Sequence, residues 1–415
     1  MHVAIIGAGI VGVSTAIWLQ RAGVRVTLVD REGPAAGASH GNAGVLAASS
    51  IVPIPVPGLL AKAPRMLFDP RQPLFVRWRH LPRLLPFLAP YLRSASHHAR
   101  TSDALSLLLH DTAEQHAALA AGTGAERYLH PGDYLFGYTR AGFAADARAW
   151  EARERRGHAF EVIDEPGSYD PALAGRFELL VRCPHHGRIS DPGAYVRTLA
   201  EHFEREGGTF LRTAVRDVAR GRVELADGLL EADEIVVTAG IWSRRLLERQ
   251  GVRVPMEAER GYHLEFVRPS VMPRAPVMVA SGKFVLTPME GRLRAAGIVE
   301  FAGLDAPPSR APFALLRRET LKVLPDLVCE QIVEWSGPRP STVDSLPLIG
   351  RMGDGIWAGF GHQHVGLTAG PKTGRWISQT ITGNQPNTDL APFAPTRFGA
   401  KNRLFSRVRT VRGGN

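Results

Sequence analysis

Apolar residues fall along the chain in two periods. Residues 3–6 form an unbroken apolar run, GxGxxG follows at Gly7, Gly9 and Gly12, and helical periodicity continues over residues 13–21. Gly23 closes that helix, and residues 24–29 read as a second strand, ending at Asp30. Short apolar runs bounded by turn residues predict buried parallel strands, here joined by a crossover helix. Residues 211–218, 231–243 and 356–358 read as further strands, the last passing through glycines into a helix from Leu367. Elsewhere the period is two. GYHLEFV, KFVLTPM and RLRAAGIVEF alternate as antiparallel strands do, whereas residues 105–121 and 313–323 read as amphipathic helices.

Composition narrows the classes. With 415 residues there is room for two domains with substantial cores. The formal charge of +10 is almost wholly arginine, because Lys62, Lys283, Lys322, Lys372 and Lys401 are the only lysines. Arginine is scattered and no aromatic–basic stripe interleaves it, so no nucleic-acid partner is expected. The charge then reads as compositional, or as suited to an anionic membrane surface. Cys183 and Cys329 are the only cysteines and no CxxC joins them, which predicts a reducing compartment and a cytoplasmic location. No stretch of about eighteen uninterrupted apolar residues predicts a membrane span.

The first sixty residues carry a phosphate cradle. In a strand–GxGxxG–helix unit the glycines give a tight turn, backbone approach to a diphosphate and close helix–strand packing, and the helix start offers free N–H groups. Gly7, Gly9, Ile10, Val11 and Gly12 are therefore candidate dinucleotide contacts, with Asp30 and Arg31 placed for the ribose. The motif alone does not separate NAD from FAD. Three segments favour FAD. The small polar loop ASHGNAGV brings Ser39, Asn42, Ala43 and Gly44 within reach of a flavin. Val215, and Ala239, Gly240 and Trp242 of the strand ending in Thr-Ala-Gly, return late to the same sheet. The third is GFGHQHVGLTAGP, with Gly361, His362, Gly366, Leu367 and Thr368 at a strand-to-helix turn. There the helix-start amides would face the redox ring and stabilise charge on it.

These pieces together resemble the FAD-dependent amino-acid oxidoreductases of the D-amino-acid oxidase superfamily, and bacterial D-amino-acid dehydrogenases most. The matching stretches are GAGIVGVSTAIWL, SHGNAG, VVTAGIWS, ERGYHLEF, GPRPSTVDSLPLIG and GHQHVGLTAGP, in order from the first residues to about Phe398. The resemblance implies an α/β fold, α+β overall. A Rossmann-like FAD-binding domain (residues 1–75, 145–255 and 335–398) would carry a substrate domain on an antiparallel sheet (76–144 and 256–334), before a basic tail at 399–415. It also implies non-covalent FAD. Relatives acting on N-methylated amino acids attach flavin through a cysteine near the RP strand, and Gly337 stands at that position here.

The implied reaction moves a hydride from the amino-acid α-carbon to the flavin, giving an imine and then a keto acid. A substrate carboxylate suits a forked guanidinium, and the resemblance puts Arg339 in that role, with a structural pair to Asp344 as the alternative. Tyr262 is a second candidate, and His263 should face the other way on a regular strand. His364 is the third catalytic candidate. His362 and His364 are spaced as a metal pair, but no further ligand is spaced to join them, so no metal is expected. Gln363 stands where many relatives have glycine. Residues 51–96 mix apolar residues, arginines and prolines; they suit either a peripheral membrane contact or packing inside the substrate domain. The expected substrates are D-amino acids, or D-imino acids such as proline or hydroxyproline, with a quinone or carrier as electron acceptor. An oxygen-using oxidase of an L-imino or N-methyl amino acid is the alternative, and an RNA-modifying flavoprotein is a further rival.

Overall fold

The computed structural model describes residues 1–56, 73–249 and 252–398. The expected basic tail and part of the proline-broken segment lie outside the described residues. Strand β1 (His2–Ile6), helix α1 (Ile10–Arg21) and strand β2 (Arg25–Asp30) form the predicted unit. Every residue of β1 is buried: Val3 and Ile5 share a core with Val13 and Ile17 of α1, and Ala4 and Ile6 on the other face share one with Val218, Val223 and Leu225. The six strands run in the order Leu348–Gly353, Ile356–Phe360, Glu234–Val237, β1, β2, Thr209–Arg212. All neighbours are parallel except the first pair, an antiparallel edge hairpin. The two ends of the chain thus meet in one sheet.

The run at 211–218 is not one strand. Thr209–Arg212 completes the parallel sheet, and Val215–Ala219 opens a three-stranded antiparallel sheet. The break at 213–214 has a cause: Thr213 Oγ1 bonds Asp227 at 2.7 Å and the Ala226 N–H bonds the Ala214 carbonyl at 2.8 Å.

The second large sheet begins Gln331–Thr342, Met256–Val267, Arg292–Phe301, Phe284–Met289, Val277–Val279, Tyr134–Tyr138. It is mostly antiparallel, with parallel joins between Val277–Val279 and Tyr134–Tyr138 and between Leu74–Val76 and Arg292–Phe301. Three expected boundaries are corrected by these pairings. Glu161–Ile163 and Leu179–Cys183, assigned above to the FAD-binding unit, extend this sheet next to Tyr134–Tyr138. Gln331–Thr342 crosses the boundary drawn at 335 because it pairs along its whole length with Met256–Val267. Helices His98–Leu109 and Thr112–Ala120 belong with the parallel sheet: Leu105, Leu108 and Leu119 share a core with Ile10, Ile17 and Trp376. Buried Lys372 ties them there, donating to the Leu107 carbonyl and to Asp111, each at 2.7 Å. Helix Leu81–Arg93 is longer than its prolines suggest; it keeps Pro86 and Pro90 inside while Leu84, Phe87 and Tyr91 are buried.

The two sheets are latched by charge. Arg294 is fully buried on Arg292–Phe301, and its guanidinium donates to Glu265 and to the His40 and Asn42 carbonyls of the glycine-rich loop. Arg292 shares Glu265 and reaches Asp191 at 2.7 Å. The buried charge is offset because every partner is hydrogen-bonded. Arg294→Leu should lower unfolding free energy by about 3 kcal/mol, since two carbonyls and part of a carboxylate lose their donor. Urea denaturation checks this, and a change under ~0.5 kcal/mol would remove the latch from the account.

Candidate active site

A cavity of about 670 Å³ lies at the carboxyl ends of the parallel strands and is walled on its other side by the second sheet. That is where open α/β sheets take ligands. At one end it is bordered by Val215, Arg31 and Trp242, with the Arg31 guanidinium 4.5 Å from the Trp242 ring centre. Asp30 borders it too, its carboxylate fixed by N–H bonds from Ala8, Glu32 and Gly33 at 2.9–3.0 Å. Gly7, Gly9, Ile10 and Val11 follow, and α1 has no acidic residue in its first turn to compete with an anion. Ser39, Asn42, Ala43, Ala239 and Gly240 complete the middle of the wall.

At the far end are Gly361, His362, His364, Gly366, Leu367 and Thr368, where helix Gly366–Ile381 starts. Its first-turn N–H groups have no intrahelical acceptor. Pro371 sits inside this helix and supplies no N–H for the Leu367 carbonyl. Buried His116 takes up the freed carbonyl, its Nε2–H donating to Leu367 O at 3.0 Å while Nδ1 accepts from Tyr195 at 2.9 Å. Burial holds the His116 ring neutral, pushed down to about 4, so one tautomer serves both bonds.

Three predicted residues do not border the cavity. Gly12 is pressed against β1's turn: a Cβ there would come within 1.8 Å of the Gly7 carbonyl, so its role is helix–strand packing. Gly44 has φ +75°, and its missing side chain leaves room for the Ile189 carbonyl and Met289. Tyr262 is the substantive correction. It is 1% exposed and faces helix Arg310–Val323, bonding Glu300 and receiving the Ser309 N–H at 3.0 Å. Alternation on Met256–Val267 puts Tyr262, Leu264 and Phe266 on that face. His263 does face the other way, stacked 5.0 Å from Trp335, with Nδ1 3.1 Å from the Gly41 carbonyl.

The same alternation exposes what the sequence reading missed. Glu259 lies on the His263 face, is 2% exposed, and is the register partner of Arg339. Its Oε1 accepts from Arg339 Nη1 at 3.1 Å and from His364 Nε2 at 2.6 Å, and its Oε2 accepts from Ser341 at 2.9 Å. Asp344 does not pair with Arg339; it holds Arg397 at 2.7 Å. Burial pushes the Glu259 carboxyl up, but the charge and hydrogen bond of His364, then Arg339 and Ser341, outweigh it and hold the carboxyl at about 2. His362 turns elsewhere, bonding Thr373 at 3.0 Å, and burial pushes it down to about 3, so it is neutral. The two histidines therefore do not converge. Gln363 between them has φ +47°, which accounts for a preference for glycine there, and its amide donates to the Thr342 carbonyl at 2.9 Å.

A sequence model of a family described as FAD dependent oxidoreductase (DAO) matches residues 2–380. The chain belongs to that family. It is 39% identical to a D-amino-acid oxidase of Bradyrhizobium diazoefficiens, over 96% of this chain and 99% of that protein. It is 30% identical to a D-amino acid dehydrogenase of Rhizobium rhizogenes, over 96% of this chain and 100% of that one. Among solved structures it resembles glycine oxidase from Geobacillus kaustophilus, with a TM-score of 0.73 at 23% identity over 95% of this chain and 98% of that one, which speaks to fold. FAD is its cofactor, held non-covalently. The cavity fits it: donors at two helix starts, an anchored carboxylate at β2, and neither Cys183 nor Cys329 on the wall. Where a cysteine would stand, a Gly337 Cβ would fall 2.4 Å from the Trp335 ring.

The Glu259 shift carries a pH consequence. A carboxyl lowered from its ordinary 4.5 to about 2 on folding stabilises the protein above pH 4.5 and loses that contribution as pH falls toward 2. The stability gap between wild type and Glu259→Gln should therefore narrow by on the order of 2 kcal/mol from about pH 6 to about pH 3. Urea midpoints at the two pH values test this; a constant gap would remove the depressed carboxyl.

Proposed function

We propose that this flavoenzyme oxidises D-amino acids to imines, which water hydrolyses to keto acids, and passes the electrons to a quinone or carrier. The observation that carries the reading is Arg339 on the cavity wall, tied through Nη1 to Glu259 and the Ile298 carbonyl, with the rest of its planar fork unclaimed among the described residues. A guanidinium held from behind meets both oxygens of a carboxylate in one plane. The D-configuration rests on the relatives named D-amino-acid oxidase and D-amino acid dehydrogenase at 39% and 30% identity. FAD supplies the hydride acceptor.

The chain's own residues bind and orient. Gly9 and Val11 would offer their N–H groups to the diphosphate while Gly7 and Ile10 shape the turn, their own N–H groups being taken by the Val29 carbonyl and Ser39 Oγ, and Asp30 would accept from the ribose. Gly361, Gly366, Leu367 and Thr368 would offer their amides to the flavin ring, where preorganised donors would stabilise negative charge. Arg339 fixes the substrate carboxylate, and His364 stands beside it. Trp335 closes the site on the second sheet, in space left by Gly41 and Gly337. Peripheral membrane contact through the arginine- and proline-rich segment would suit a quinone acceptor. Among the described residues no helix is long and apolar enough to cross a membrane. The named oxidase at 39% identity favours one second reading, direct use of oxygen.

Anaerobic mixing with single amino acids should bleach the yellow flavin band with D-enantiomers and leave it with their L-forms; bleaching by L-forms alone refutes the stereochemical assignment. Added quinone should then restore the colour faster than air, and rapid peroxide formation in air would favour the oxidase reading. Arg339→Ala should raise KM for carboxylate substrates about 100-fold, the ~3 kcal/mol scale of a charge-assisted bidentate contact, with FAD content unchanged. Unaltered KM would refute the anchor.

A further inference from the structure

One proton in this reaction has no destination yet. An amino acid docked through its carboxylate arrives near neutral pH with a protonated amine. An ammonium nitrogen has no lone pair to drive hydride departure, so the proton must leave first. His364 borders the same cavity as Arg339, and 37% of its side chain is open. Its Nε2 lies 2.6 Å from Glu259 Oε1. An ionised carboxylate only accepts, so in the neutral ring Nε2 carries the hydrogen and Nδ1 keeps the lone pair. Among the described residues no hydrogen-bond partner takes Nδ1.

We propose that His364 Nδ1 is the base that removes the ammonium proton of the substrate, with Glu259 as the positioning residue behind it. One substrate N–H bond breaks and one Nδ1–H bond forms. The amine keeps its electron pair, the imidazolium rests against the Glu259 carboxylate, and water later takes the proton. No redox partner enters this step. The arrangement is the carboxylate–histidine pairing that fixes a tautomer and stabilises the charged ring.

Charged groups of both signs surround the ring, and the one that bonds it is the Glu259 carboxylate. From Met256–Val267, Glu259 favours the imidazolium. From Gln331–Thr342, Arg339 opposes it but shares the same carboxylate oxygen at 3.1 Å. From Leu81–Arg93, buried Tyr91 stays neutral, raised well above its usual range by burial and then by the Glu259 charge. His362 is neutral, and on Gly366–Ile381 the first charged residue is Lys372, which Asp111 holds at 2.7 Å. Ser341, bridged in backbone to His362, donates to the other Glu259 oxygen and keeps the carboxylate in place.

This inference rests on the reading of the cavity as an amino-acid oxidation site, and the test separates the two. Anaerobic flavin reduction by a D-amino acid would be followed against pH in holoenzymes carrying the wild-type, His364→Gln and Glu259→Gln chains. His364 would also be titrated by NMR, its resonance assigned by its loss in His364→Gln. The wild-type second-order constant should fall tenfold per pH unit below one ionisation, matching the NMR titration. His364→Gln should be slower by about 100-fold near neutral pH and should keep gaining rate into the range of the substrate amine. In Glu259→Gln the acid limb should move to lower pH, because the imidazolium loses its carboxylate partner. If the wild type is reduced but His364→Gln keeps its rate and profile, the base assignment alone fails. If no amino acid reduces the wild type, the functional reading fails and this inference with it. Should Glu259→Gln not fold, the His364→Gln profile still decides.

Discussion

The pairing of Met256–Val267 with Gln331–Thr342 is the constraint on which the site depends. Over twelve residues each strand keeps one register with the other, and that register sets Glu259 opposite Arg339. A one-residue slip would turn every side chain to the opposite face. Glu259 would then meet the helix-covered core, a buried charge without partners. The cross-strand ion pair and the hydrophobic row of Tyr262, Leu264 and Phe266 on the other face therefore specify the same register.

Around that pairing, two helix starts face a shared cavity from opposite ends of the chain. α1 begins after the early glycines and Gly366–Ile381 begins after the late ones. They pack on each other, with Gly374 letting the helices approach so closely that a Cβ would lie 2.6 Å from the Thr15 nitrogen. The distance between the two helix starts is thus set by the packing of the helices on each other. Pro371 would loosen the second helix, and the His116 bond to the Leu367 carbonyl recovers the lost partner.

The glycine-rich loop after β2 belongs in sequence to the parallel sheet, yet its carbonyls are held by Arg294 of the other sheet. Assembly of the cavity is therefore coupled to burial of a guanidinium, which is tolerable only when Glu265 and the loop are both in place. Loop, latch and cradle order together.

Much of this was legible in the chain itself. Period and punctuation predicted β1, α1, β2 and the late strand–turn–helix, because buried parallel strands and helix starts leave local signatures. The alternation of GYHLEFV already separated Tyr262 from His263. It did not say which face met the cavity, since both faces of that strand are buried. Hence Tyr262 was a candidate and Glu259 was not. Only the tertiary structure decided that, along with the assignment of residues 98–120 to the parallel sheet and of 161–183 to the other. A strand's period is written in its own residues, whereas the element that covers each face is chosen by residues far along the chain.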